Sequence, residues 1–230
     1  MVERLAVGGL FLWASLMMDL AHLGLAALWT RALRIPVKEF AIGYGAVILR
    51  AGAFSLRAVP IGAWFDPVVR KPKPSAVTGS TPPSGARDVT IRTLEDASLG
   101  ASVGLALLAA GVSFAAAALL LGPGHAVDAS SAAARSYLLG AMSPLADAPR
   151  HLDAALDVYR SNDHRVALGS AAAIIAGINV LWAPSNVMFL LGVTASKRGW
   201  LQLRGLLWLA ARAIEASWML GFVVWVVRAW

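Results

Sequence analysis

The sequence predicts an α-helical membrane protein of about four transmembrane helices, with a small membrane-associated β-region after the first span. Three observations predict it. The apolar fraction is too high for so short a soluble chain, four runs of apolar residues are long, and one stretch between the first two runs alternates with period two. Of 230 residues, 58% are hydrophobic and 14% charged, with a mean hydropathy of +0.67. An ordinary soluble domain has about 45–50% apolar and about 25% charged residues. A chain of this length cannot bury the excess in a water-soluble core, because the buried fraction rises only slowly with size. Lipid must cover the remainder.

Crossing about 30 Å of hydrocarbon takes roughly 20 residues in a helix. The first span, about residues 5–30, runs from Leu5 to Thr30 and is interrupted only by Asp19 and His22. Those two residues, with Glu3 and Arg4 ahead of the run, argue for a retained span over a signal peptide. The second span, about 98–122, and the third, about 167–192, carry no formal charge. Gly100 and Gly104 in the second are spaced for close helix contact. The fourth, about 206–227, carries Arg212 and Glu215.

Between the first two spans, residues 35–65 read as strands. Apolar and polar residues alternate in short runs (Val37, Phe40, Ile42, Tyr44, then Val47 and Leu49), punctuated by Gly43, Gly45, Gly52 and Gly62. Residues 66–96, rich in Pro, Ser, Gly and basic side chains, read as a cytoplasmic linker. The 123–165 segment reads as extracytoplasmic, with short helices near Ser131–Leu139 and His151–Tyr159 on the outer surface.

Charge sets the orientation. Ten Lys or Arg residues lie between Arg31 and Asp96, and Lys197, Arg198 and Arg204 mark the third-to-fourth connection. The 123–165 segment holds four Arg against five Asp. The positive-inside rule therefore puts the first and third connections in the cytoplasm and both termini outside. The net charge of +7, which in a soluble chain would suggest nucleic acid, is here a topology signal. The expected partners are the lipid bilayer and other membrane-protein subunits, with no nucleic acid. The chain has no cysteine, which excludes disulfides, thiolate chemistry and Cys-ligated zinc.

The spans and the strand region carry an ordered set of motifs. Met18-Asp19-Leu20-Ala21-His22 lies in the first span, and Val37-Lys38-Glu39-Phe40-Ala41-Ile42-Gly43-Tyr44-Gly45 opens the β-region. Arg57-Ala58-Val59-Pro60-Ile61-Gly62-Ala63-Trp64 follows, and Ile178-Asn179-Val180-Leu181-Trp182-Ala183-Pro184 sits in the third span. Over residues 5–65 and 170–192 this layout resembles the site-2 proteases, intramembrane zinc metalloproteases. Their first core span carries His-Glu-x-x-His, their β-region carries Phe-x-Ile-Gly-Phe-Gly, and a late span supplies Asn, Pro and Leu-Asp-Gly. The resemblance implies a zinc site at Met18, Asp19 and His22, completed from the third span beyond Asn179 and Pro184.

The chemistry at those positions has decayed. Zinc hydrolysis needs about three protein ligands, an open position for water and a carboxylate base. The first ligand position is Met18, a thioether that suits zinc poorly. The base position is Asp19, one methylene shorter than Glu, and only His22 is retained. In the late motif, strict register gives Val187 and a one-residue shift gives Asn186. The expectation is a degenerate, pseudoprotease-like member without cofactor or metal, serving as scaffold or accessory subunit in a larger complex. Asp19 and His22 would be its only metal-binding side chains if an atypical zinc were held. Two alternatives stay open: an active protease with atypical ligands, and a small ion- or proton-conducting subunit built on Asp19 and His22.

Other residues have plainer readings. Asp19 and His22, three apart on one helix face, are expected to hydrogen-bond each other as a remnant, and Arg212 with Glu215 to form a local ion pair. Asn179 is expected to bond between helices. Trp200, Trp225 and Trp230 fit interfacial belts, while Trp208 and Trp218 are expected to face lipid. His125, His151 and His164 are too scattered to suggest a site. Arg outnumbers Lys sixteen to four, which with the resemblance points to a bacterial inner membrane. The 123–165 segment is too short for the extracytoplasmic PDZ module usual in the family.

Overall fold

The computed structural model describes residues 2–68, 96–161, 163–195 and 198–228. Most of the expected linker, 69–95, lies outside them, as do Trp230 and the side chains of Trp200 and Trp208. Six helices and two strands follow in order: α1 (Val2–Ala32), β1 (Val37–Ala51), β2 (Phe54–Pro67), α2 (Leu99–Leu121), α3 (Pro123–Met142), α4 (Asp147–Arg160), α5 (His164–Ala195) and α6 (Arg198–Val227). Within α1, α2, α5 and α6 lie four stretches long and apolar enough to cross a membrane. The described fold is thus largely helical, with a small antiparallel sheet.

Local sequence sets the joints. Ser98 caps α2 by accepting from the Ala101 N–H at 3.2 Å. The Asp163 carboxylate accepts from the Arg165 and Val166 N–H groups and caps α5. Gly122, at φ 88°, allows the reversal into α3, and Pro123 starts that helix where its missing N–H costs nothing. Pro184 lies inside α5, at the cost of one ladder hydrogen bond.

The sheet is a bent ribbon. Phe40, Ala41 and Ile42 have partners on both edges: Phe65, Trp64 and Ala63 on one, Phe54, Ser55 and Leu56 on the other. Positive φ angles at Gly43, Gly45 and Gly62 permit this doubling back. β2 runs to Pro67, two residues beyond the expected boundary. The inner face buries Phe40 and Ile42 against Leu23 and Ala26 of α1 and Leu105 of α2.

Small residues set the helix contacts. Ala117 of α2, Ala126 of α3, and Ala172 and Ala173 of α5 form one buried cluster, because short side chains let backbones approach closely. At Gly177 of α5 a methyl group would meet the Ser130 carbonyl oxygen of α3 at 2.4 Å. Of the Gly100/Gly104 pair, only Gly104 has a neighbour, the Trp29 ring of α1.

The 123–165 segment differs from its expected form. Its helices are longer than the two short segments foreseen, and they pack against the long helices. α3 runs along α5 (Ala126 with Ala172, Ser130 with Gly177), and α4 returns beside α6 (Ala148 with Gly221, Asp153 with Trp225). The physical reason is side-chain size. α3 is rich in Ala and Ser and carries only Asp128 and Arg135 as formal charges, so it fits a helix surface that bulkier polar residues would hold away.

Both ends of the chain lie together. Arg4 donates to the Trp225 carbonyl oxygen and stacks 4.9 Å over the Trp225 ring. Its guanidinium is 3.6 Å from Asp153, and Glu3 pairs with Arg160 at 2.7 Å. Trp225 is 1% exposed and donates to Asp153 at 2.6 Å, so it is a core residue and not part of an interfacial belt. Its neighbour Asp153 supplies the acceptor that the indole needs when buried.

Candidate functional site

Ionisable groups of α1 and α6 approach the sheet from opposite sides of Tyr44 and Gly62. Asp19 and His22 occupy the middle of α1, and His22 is buried. They do not bond each other. The backbone N–H of Gly62 in β2 lies near the Asp19 carboxylate, whose Oδ2 is buried without a partner. Gly62 holds φ 78°, a backbone conformation that favours glycine.

Tyr44 of β1 covers the same glycine. A methyl group on Gly62 would lie 3.7 Å from both the ring and the hydroxyl of Tyr44. On its other side Tyr44 meets α6. Arg212 Nη2 donates to the Tyr44 hydroxyl at 3.0 Å, with its guanidinium 4.8 Å from the ring centroid. Arg212 also donates to Glu215, the local pair expected from their spacing. The sheet thus stands between the ionisable groups of α1 and α6, with Gly62 near Asp19 and under Tyr44, and Tyr44 bonded to Arg212.

The remaining motif positions fall elsewhere. Met18 is half-buried beside Asp19 on α1. Val187 of α5 packs against the apolar cluster of Leu23, Phe40 and Leu105. Asn179 turns to α2, its Nδ2 donating to Ser113 Oγ at 3.5 Å, an interhelical bond as its position suggested. Pro184 is exposed. Among the described residues, no group of three His, Cys, Asp or Glu lies close enough to hold a metal ion.

A second polar cluster lies on the sheet. Glu39 accepts from Ser55 Oγ at 2.5 Å, from Arg57 at 3.0 Å and from Arg50 at 3.3 Å. Arg57 also donates to the Gly45 carbonyl and stacks 5.0 Å over Trp64. The Ser55 hydrogen bond above all holds Glu39 below its ordinary value of 4.5; Arg57 and Arg50 act the same way, and partial burial opposes them. Sequence reasoning missed this cluster. Its one signal was parity, since Ser55 and Arg57 sit two apart and so share a sheet face.

Sequence reasoning also missed the role of Tyr44, read only as part of a signature, and that of Trp218. Trp218 was expected to face lipid. It stacks on Tyr137 of α3 with centroids 5.7 Å apart and donates to the Tyr137 carbonyl at 2.7 Å, because the α3–α4 pair occupies the space lipid would have filled. Comparison of the chain with protein-family models, with curated proteins and with solved structures finds no match.

Proposed function

We propose that the chain is a multi-pass membrane protein, a non-catalytic relative of the site-2 proteases that serves as scaffold or accessory subunit of a larger membrane assembly. One observation carries this reading: the carboxylate at the position of the catalytic base is covered by the sheet, with the Gly62 N–H beside it and its Oδ2 buried. In a working site that carboxylate would face a metal-bound water. Here it lies between α1 and the β-region. The ligand positions around it support the same reading, since Met18 suits zinc poorly and Val187 lies in an apolar cluster. The basic first and third connections favour a bacterial inner membrane with both termini outside.

Native mass spectrometry of the protein, released gently from its own membrane, tests the proposal. A larger assembly without zinc is the expected result. A lone protomer carrying one zinc would overturn it.

A second reading, a proton-conducting subunit, is favoured by the buried and unpartnered Asp19 Oδ2, since ionisable groups at membrane depth often mark ion pathways. Proton flux into liposomes that is lost in Asp19→Asn, with assembly intact, would favour it. Equal flux in both proteins would dismiss it.

A further inference from the structure

A chamber of about 450 Å³ lies among α1, α3, α4, α5 and α6, far from Asp19 and His22. Its walls include Val7 and Phe11 of α1, Ala133 of α3, Ala155 of α4, and Ala167 to Ile178 of α5. Tyr137, His151 and Trp218 gather at the Ile178 end. Along α5 the lining residues reach from Ala167 to Ile178, a span of about 16 Å at the helical rise of 1.5 Å per residue. The chamber is therefore long, and nearly all of its surface is apolar.

Protein interiors rarely leave voids larger than a water molecule, and an apolar cavity does not take up water, which needs two to four polar partners. The alanines on α3, α4 and α5 leave this space because their side chains are too short to fill it. Its volume lies within the range of about 300–1,000 Å³ typical of small-molecule sites. Both α1 and α5 border the chamber within their span-length apolar stretches, so its surroundings are hydrocarbon if the chain is inserted as proposed above.

We propose that this partly open cavity is a binding site for one hydrocarbon chain of a membrane lipid, lined by the α3–α4 pair, α1 and α5. The inference depends on membrane insertion and not on the absence of catalysis.

The test is to reconstitute the full chain into phosphatidylcholine vesicles carrying a diazirine on one acyl chain, irradiate, and map the cross-links by peptide mass spectrometry. The expected result is cross-links at Phe11, Ala133, Ala155 or Ile174, lost in Ala133→Phe and in Ala155→Phe. Extraction of the protein from its own membrane should yield one long-chain species in stoichiometric amount, and its mass separates acyl from prenyl chains. Cross-links found only at outward residues such as Leu28, Leu119 and Leu209 would overturn the chamber while leaving membrane insertion intact. Wild-type mapping decides the matter even if a filled variant does not fold.

Discussion

Tyr44 links the sheet to α6. Its ring lies over Gly62 and its hydroxyl accepts from Arg212. A cation over an aromatic face, combined with a hydrogen bond to the same ring, couples two residues by about 1 kcal/mol. A double-mutant cycle with Tyr44→Phe and Arg212→Leu, read from thermal unfolding in detergent, should show that coupling; additive effects would dissociate α6 from the sheet. Gly62→Ala forces a side chain onto φ 78° and should cost about 1–3 kcal/mol, and it should loosen β2 from Asp19. Glu39 gives a pH dependence. Its folded value is depressed, so its contribution is fully present above pH 4.5 and is lost as pH falls through the lower folded value. Acid-induced loosening of the sheet, followed by Trp64 fluorescence in a protein whose other tryptophans are replaced by Phe, should be weaker in Glu39→Gln.

At the scale of elements, the α3–α4 pair is the part whose seating depends most on single atoms. Gly177, Gly140 and Gly221 each leave room for a specific neighbour: the Ser130 backbone, the Trp218 ring and the Pro144 backbone. A clash with backbone cannot be relieved by rotating a side chain. Gly177→Ala should therefore destabilise the fold by about 1–3 kcal/mol, with limited proteolysis between Met142 and Asp147 as the readout. Gly100→Ala, which meets open space, is the control and should leave proteolysis unchanged.

For the whole molecule, four span-length apolar helices and adjoining first and last helix ends point to one arrangement. Arg4 and Glu3 at the start of α1 contact Trp225 and Arg160, so both ends of the chain share one face. The basic Arg31 to Arg57 region belongs to the opposite end of α1. With no native cysteine, single cysteines report cleanly. The orientation proposed above predicts that cysteines at Glu3 and Arg228 react with a membrane-impermeant thiol reagent applied to intact cells. A cysteine at Arg34 should react only after lysis. The reverse pattern would invert the orientation, and reaction at all three in intact cells would remove the membrane reading.

Composition and periodicity determined the four long apolar helices and the strand region, because a span is a property of twenty consecutive residues and alternation a property of eight or ten. The i, i+3 spacing of Arg212 and Glu215 likewise determined their pairing, since both partners ride one helix. Asp19 and His22 have the same spacing and yet do not pair. A glycine forty-three residues further along lies beside Asp19 instead, and spacing within a helix carries no information about what another strand brings. The seating of α3 and α4, the burial of Trp225 and Trp218, and the elongated chamber were likewise decided only by tertiary structure. Each depends on the difference in size between side chains on separate elements, and that difference acts only once the elements are in contact.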